Sequence, residues 1–313
     1  MAMTSSLLCL FLFFHLFNRI VTDAEGVTFT FVNRCKFPVW VGVQPNGGLA
    51  ILADGGFELG AGKQDAITAP ASWGGRFWGR TGCEFDSAGK GTCDTGDCGG
   101  ALKCGGSGGN PPATLAEITL HGADGNDFYD ISLVDGYNLP LAMTPAGGTG
   151  KCGAPECSSN LNDMCPEVLQ FLSEGSVIGC NSACNAFSEP KYCCTGAHDQ
   201  PATCPPTQYS NAFKNACPLA YSYAYDDATS TFTCKAANYA IAFCPNGSPV
   251  ARLGNNTTTG DSTSQRQTSP DQLPGNPSVI DQYGTGTGAG VRHLAHIVHI
   301  SILGIATLFT LLG

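Results

Sequence analysis

The chain has 313 residues, 42% of them hydrophobic and only 13% charged, with 41 Gly, 19 Pro, 17 Cys and a net charge of −10. That apolar content excludes a disordered chain, and so much Gly and Pro argues against a helical bundle. The acidic balance argues against nucleic acid, which needs a basic surface, and the cysteines argue against a reducing compartment.

Residues 7–17, LLCLFLFFHLF, form an apolar run too short to span a bilayer comfortably. It suits the core of a secretory signal peptide, with cleavage after Ala24. VTFTFVN (27–33) and PVWVGVQ (38–44) are rich in β-formers and predict strands. SWGGRFWGR (72–80) sets Trp73, Trp78, Arg76 and Arg80 among glycines, a local basic spot with two rings able to pack or to meet sugar. TLAEITL (114–120) and FYDISLV (128–134) alternate around HGADGND, where Asp124-Gly125 predicts a two-residue hairpin turn. PEVLQFLSE (166–174) predicts the one helix, with Asn162 or Asp163 near its start and Pro166 at an early position. TFTCKAANYAIAFC (231–244) predicts the last strand pair.

Residues 250–290 read as a Ser/Thr/Gly-rich stalk with glycosylation acceptors at Asn255 and Asn256. The tail, 291–313, holds the apolar run IVHISILGIATLFTLLG behind Gly284, Gly286 and Gly288. Small residues, a spacer and an apolar end are the arrangement of a GPI-attachment signal, with any of those three glycines as the attachment point. A tail-anchored transmembrane helix is the competing reading. The expected organisation is a signal peptide at 1–24, a folded domain at 25–249, a glycosylated linker at 250–290 and an attachment tail at 291–313. His293, His296 and His299 recur every third residue but lack Cys or carboxylate company, so neither a metal nor a cofactor is expected.

Without Cys9, sixteen cysteines remain, an even number that implies eight disulfides in an oxidising compartment. Spacing leaves their connectivity open. Residues 25–82 hold one cysteine and residues 152–217 hold nine, in Gly- and Pro-rich company. The first stretch can build a sheet core; the second needs staples, because it cannot bury enough apolar area alone. The expectation is an all-β core with a disulfide-rich, partly helical insertion.

If Asp124-Gly125 closes the hairpin, Thr119 faces Asp130 and Glu117 faces Ser132. Glu117 and Asp130 then lie diagonally on one face, about 7–8 Å apart, opposite an apolar face with Ile118 and Ile131. Two carboxylates at that sort of separation suit glycoside hydrolysis, with Glu117 as proton donor and Asp130 as partner. A solvent-facing polar pair without chemistry competes with that reading. His121 and His198 have no serine elbow or reactive cysteine beside them.

The run Gly89-Lys-Gly-Thr-Cys-Asp-Thr-Gly-Asp-Cys98-Gly-Gly-Ala-Leu-Lys-Cys104 resembles the signature of thaumatin-like proteins of the plant pathogenesis-related type. TFTFVNRC, PPATLAEITL, KYCCTGAH, CPLAYSYAYDD and FTCKAANYAIAFCP extend the resemblance over about residues 26–245. It implies a flattened antiparallel β-sandwich with a large disulfide-rich insertion and a small disulfide loop. It also implies the pairs Cys35–Cys244, Cys83–Cys93, Cys98–Cys104, Cys152–Cys234, Cys157–Cys217, Cys165–Cys180, Cys184–Cys193 and Cys194–Cys204.

Many relatives have an acidic cleft of one Arg, one Glu and three Asp. By position these fall on Asn110, Glu117, Asp130, Asp135 and Asp226, so the cation is replaced by Asn110 unless Lys103 stands in spatially. The function implied is a secreted defence protein that binds β-1,3-glucan or another wall polysaccharide. It would be a monomer held at the outer membrane face by its lipid anchor, or in the wall if shed. Weak β-1,3-glucanase activity is the first alternative. A non-enzymatic ectodomain that recognises a cationic protein partner, or inhibits a foreign hydrolase, is the second.

Overall fold

The computed structural model describes residues 26–246. The expected signal peptide, the stalk with Asn255 and Asn256, the glycines Gly284, Gly286 and Gly288, and the tail lie outside the described residues. Among the described residues no helix is long and apolar enough to cross a membrane.

The chain starts with β1 (Val27–Asn33), β2 (Val39–Pro45), β3 (Gly56–Leu59), β4 (Gln64–Ala69) and β5 (Gly74–Arg80). The short β6 (Glu84–Phe85) and β7 (Gly91–Thr92) form the small disulfide loop. Then come β8 (Leu115–Thr119), β9 (Asp127–Ser132), β10 (Leu141–Thr149), β11 (Glu156–Cys157), β12 (Gln170–Ser173) and β13 (Ser176–Cys180). The cystine-rich segment adds α1 (Ala183–Phe187), α2 (Pro190–Cys193), α3 (Gln208–Ala216) and α4 (Asp227–Ser230), and β14 (Phe232–Phe243) closes the domain.

Ten of these strands make one hydrogen-bonded system that folds into an all-β sandwich. One layer is β4-β1-β14-β10-β11 and the other is β9-β8-β5-β2-β3. β14 joins them: its first residues pair β9, and the rest pairs β1 and β10. Alternation along each strand buries Phe29, Phe31, Val41, Phe77, Ile131, Tyr239 and Ile241 between the layers. The aromatic rings interlock, with Phe29–Phe77 centroids 4.9 Å apart and Tyr129–Tyr239 5.0 Å.

Eight disulfides close the domain: Cys35–Cys244, Cys83–Cys93, Cys98–Cys104, Cys152–Cys234, Cys157–Cys217, Cys165–Cys180, Cys184–Cys193 and Cys194–Cys204. Four of the eight join cysteines within residues 157–217, a segment with little regular structure of its own.

The expected all-β sandwich with its disulfide-rich insertion is observed, and three expectations of detail are corrected. β1 and β14 run parallel, so the sandwich is not wholly antiparallel; both strands end at the Cys35–Cys244 bond. Residues 231–244 form one strand rather than a pair, because nothing between them turns the chain back; Ala236, with φ +52°, only bends it. The helix expected at 166–174 is a single tight turn, Glu167–Leu169, followed by β12. Glu174 and Gly175 both have positive φ, and such a pair of residues turns β12 back into β13 as a hairpin. The longest helix among the described residues is instead α3, started by a reciprocal Thr207–Ser210 capping box.

Candidate functional site

The outer face of the second layer is covered at one end and open at the other. Trp78 and Leu115 point outward and are sealed by Cys98, Cys104 and Ala113. The Gly-rich loop that seals them is fixed from beneath by Arg80, which is fully buried and donates to the carbonyls of Trp40, Ala101 and Leu102 at 3.2, 2.8 and 2.6 Å. Burial lowers its guanidinium to about 10, partly countered by Asp97. Asp97 caps the same loop, accepting from the amides of Gly99 and Gly100. The signature run therefore does structural work here.

Past that loop the face opens onto a row of polar residues. Gln44, Arg76, Glu117 and Asp130 are direct cross-strand partners on β2, β5, β8 and β9. The turn between β8 and β9 is a short 3-10 segment with Asp124 at φ +57°, not a two-residue hairpin. This shifts the expected register by two residues, so Glu117 faces Asp130 directly rather than diagonally. An even shift leaves both side chains on the expected face. Directly opposed Cβ atoms sit about 4.5–5.5 Å apart.

The guanidinium among these acids belongs to Arg76. Its Nε lies 3.5 Å from Glu117 Oε1 and its Nη1 3.8 Å from Asp135 Oδ2. Asn110, the expected replacement for a missing Arg, sits in the covering loop and donates its amide N–H to the Asp97 carbonyl at 2.6 Å. Lys103 pairs with Asp54 and does not stand in for the cation. Asp135 is held by the turn at Leu133–Gly136, where Gly136 has φ +87° and a Cβ would meet the Cys180 carbonyl at 2.7 Å.

The cystine-rich segment forms the opposite wall. Tyr221 bridges to Ser132, and its hydroxyl donates to Asp227 Oδ1 at 2.9 Å and also bonds the Thr231 hydroxyl. Asp227 acts electrostatically on Asp130. Asp226, the expected fifth member, is engaged elsewhere: it pairs with Lys214 at 2.9 Å and accepts from the amide and hydroxyl of Ser222. One residue of phase at the start of α4 exchanges the two acids.

Asp130 Oδ1 is buried and finds no hydrogen-bond donor. Burial first, then the facing Glu117 and Asp227, hold its carboxyl well above the ordinary range, against the pull of Arg76. Glu117 is also raised, by burial and by Asp135, while Arg76 and a Ser132 hydrogen bond oppose the rise. The site thus combines a carboxyl whose ionisation burial and its neighbours disfavour with a second carboxyl braced by a cation. Such a row can exchange hydrogen bonds with a polyol, and it can give and take a proton. Among the described residues no group of His, Cys, Asp or Glu is placed to hold a metal ion.

Trp73 and Trp78 are 1% and 0% exposed, and their indole N–H groups donate to the Ala50 and Gly96 carbonyls, so neither is a sugar platform. Trp40 is half-buried against Phe85.

The family model described as "Thaumatin family" matches residues 33–245. The chain is 55% identical to a "Pathogenesis-related thaumatin-like protein 3.5" of Cryptomeria japonica over 71% of this chain and 91% of that one. It is 55% identical to "Pathogenesis-related protein 5" of Arabidopsis thaliana over 78% and 100%. It is 51% identical to a "Glucan endo-1,3-beta-glucosidase" of Prunus avium over 71% and 92%.

Proposed function

Because the chain belongs to the thaumatin family, we propose that it is a defence protein of the plant cell surface that binds β-1,3-glucan along its acidic row. The observation that carries this reading is the in-register line Arg76–Glu117–Asp130 on the open part of an otherwise covered sheet face. Asp135 and Asp227 flank it. Carboxylates accept from sugar hydroxyls, and Arg76 keeps Glu117 and Asp135 in place. The names of the two pathogenesis-related relatives support a defence role, and the glucosidase relative supports glucan as the ligand. Secretion, glycosylation at Asn255 and Asn256, and a lipid anchor at Gly284, Gly286 or Gly288 belong to the same proposal and rest on sequence pattern alone.

A second reading, slow glucan hydrolysis, is favoured by one feature: the buried, unpartnered Oδ1 of Asp130. In that reading Asp130 is the proton donor and the Arg-braced Glu117 is the base or nucleophile, the reverse of the roles expected from sequence. The test is retention on insoluble β-1,3-glucan together with release of reducing ends, for wild type, Glu117→Gln, Asp130→Asn and Arg76→Ala. Binding lost in the variants supports the cleft. Reducing ends released by wild type and abolished in Asp130→Asn support the second reading. Wild type that is not retained refutes glucan as the ligand.

A further inference from the structure

A second feature of the surface lies close in the chain to the acidic row. Asp135 belongs to the row, and its neighbour Val134 lines a depression of about 50 Å3 in the cystine-rich segment. Ser222 and Tyr223, between Tyr221 and Asp227, line the same depression. Two short chain segments thus border both features.

The far side is aromatic. Tyr192 and Tyr209 meet edge to face at 5.8 Å over buried Phe213. The Lys191 ammonium sits over the Tyr192 ring at 4.6 Å and pairs with Glu189, which occupies one face of that ring. Tyr209 also packs on Phe187. Tyr223 differs: it is half-buried, and among the described residues no aromatic ring packs on it.

We propose that Tyr223 and this depression form a sugar subsite, extending the glucan site of the acidic row by at least one residue. The inference rests on the glucan reading above. A pyranose has an apolar C–H face and a hydroxyl rim, which matches an aromatic face bordered by hydroxyls and an ammonium. Tyr223 takes the ring face, and the hydroxyls of Thr207, Ser210 and Ser222 that line the depression meet the hydroxyl rim. Burial, Asp226 and Asp227 raise the Tyr223 phenol above its ordinary value, which keeps it a hydrogen-bond donor at the edge of the acids.

The test compares laminaritriose with laminarihexaose by calorimetry on the intact secreted protein. Loss of a stacking ring should lower the preference for the longer chain about tenfold in Tyr223→Ala, while Tyr223→Phe retains it. Asp130→Asn should weaken both sugars. An unchanged preference in Tyr223→Ala, with both sugars weakened by Asp130→Asn, overturns the subsite and leaves the acidic row standing. If wild type binds neither sugar, both readings fail together. Should Tyr223→Ala misfold, selectively labelled tyrosine in wild type gives the answer: the Tyr223 ring signals must shift with laminarihexaose, and their constancy overturns the proposal.

Discussion

Glu117 and Asp130 stand directly opposite each other on adjacent antiparallel strands, and the buried Oδ1 of Asp130 has no donor while Glu117 is braced by Arg76. Two like acids in one register position would repel if both ionised. Burial and the facing Glu117 raise the Asp130 carboxyl, so the conflict is eased where Asp130 holds a proton, with consequences for stability and for binding.

The first concerns pH. Both carboxyls are raised in the folded protein, so between the ordinary carboxylate range and the folded values the folded state binds more protons than the unfolded state. Stability contributed by this pair is full below about pH 4 and falls as pH rises. Asp130→Asn removes the cost: it should match wild type at low pH and be more stable by about 1 kcal/mol at neutral pH. Thermal unfolding across pH checks this, and equal curves throughout would show Asp130 ionising without penalty.

The second concerns the cation. Arg76 lies within 4 Å of both Glu117 and Asp135, whereas Asn110 is tied to Asp97 through its backbone. Arg76→Ala should weaken glucan retention about tenfold or more, and Asn110→Ala should leave it unchanged. Retention assays on the two variants side by side distinguish the residues.

The third concerns the covering loop. Arg80 satisfies several carbonyls that no lysine could reach together. Arg80→Lys should cost about 2 kcal/mol or more, from carbonyls left buried and unpaired. Denaturant titration of the purified protein measures the loss.

The fourth concerns closure of the domain. Cys35–Cys244 spans 209 residues and pins the parallel β1–β14 pair. Replacing both cysteines by serine should cost about 2–5 kcal/mol, read from the shift in unfolding midpoint.

Much of this architecture is legible in the sequence, and the misses have physical causes. Alternation in TLAEITL and FYDISLV places Glu117 and Asp130 on one outward face, because a pleat has a period of two. Their register was not legible, since it depends on how the chain turns at Asp124. Arg76 was hidden for a related reason. In GGRFWGR, residues 76, 78 and 80 share a face, yet Trp78 and Arg80 are buried beneath a glycine-rich loop and only Arg76 emerges. Hydrophobic periodicity cannot tell a face covered by a loop from a face open to water. Asp226 and Asp227 differ only in which one α4 turns toward Asp130, and composition carries no such information. The helix α3 left only a faint trace, an N-cap Thr207 behind two prolines, because Ser210 stands where the capping-box pattern has Glu or Gln.

Whether the acidic row holds glucan is decided by the affinity of soluble β-1,3-glucan oligosaccharide for wild type, Glu117→Gln, Asp130→Asn and Arg76→Ala, with folding verified for each. Wild type should bind measurably, and each variant should lose affinity about tenfold or more. Wild-type binding that survives all three substitutions would place the glucan elsewhere on the molecule and contradict the acidic row as its site.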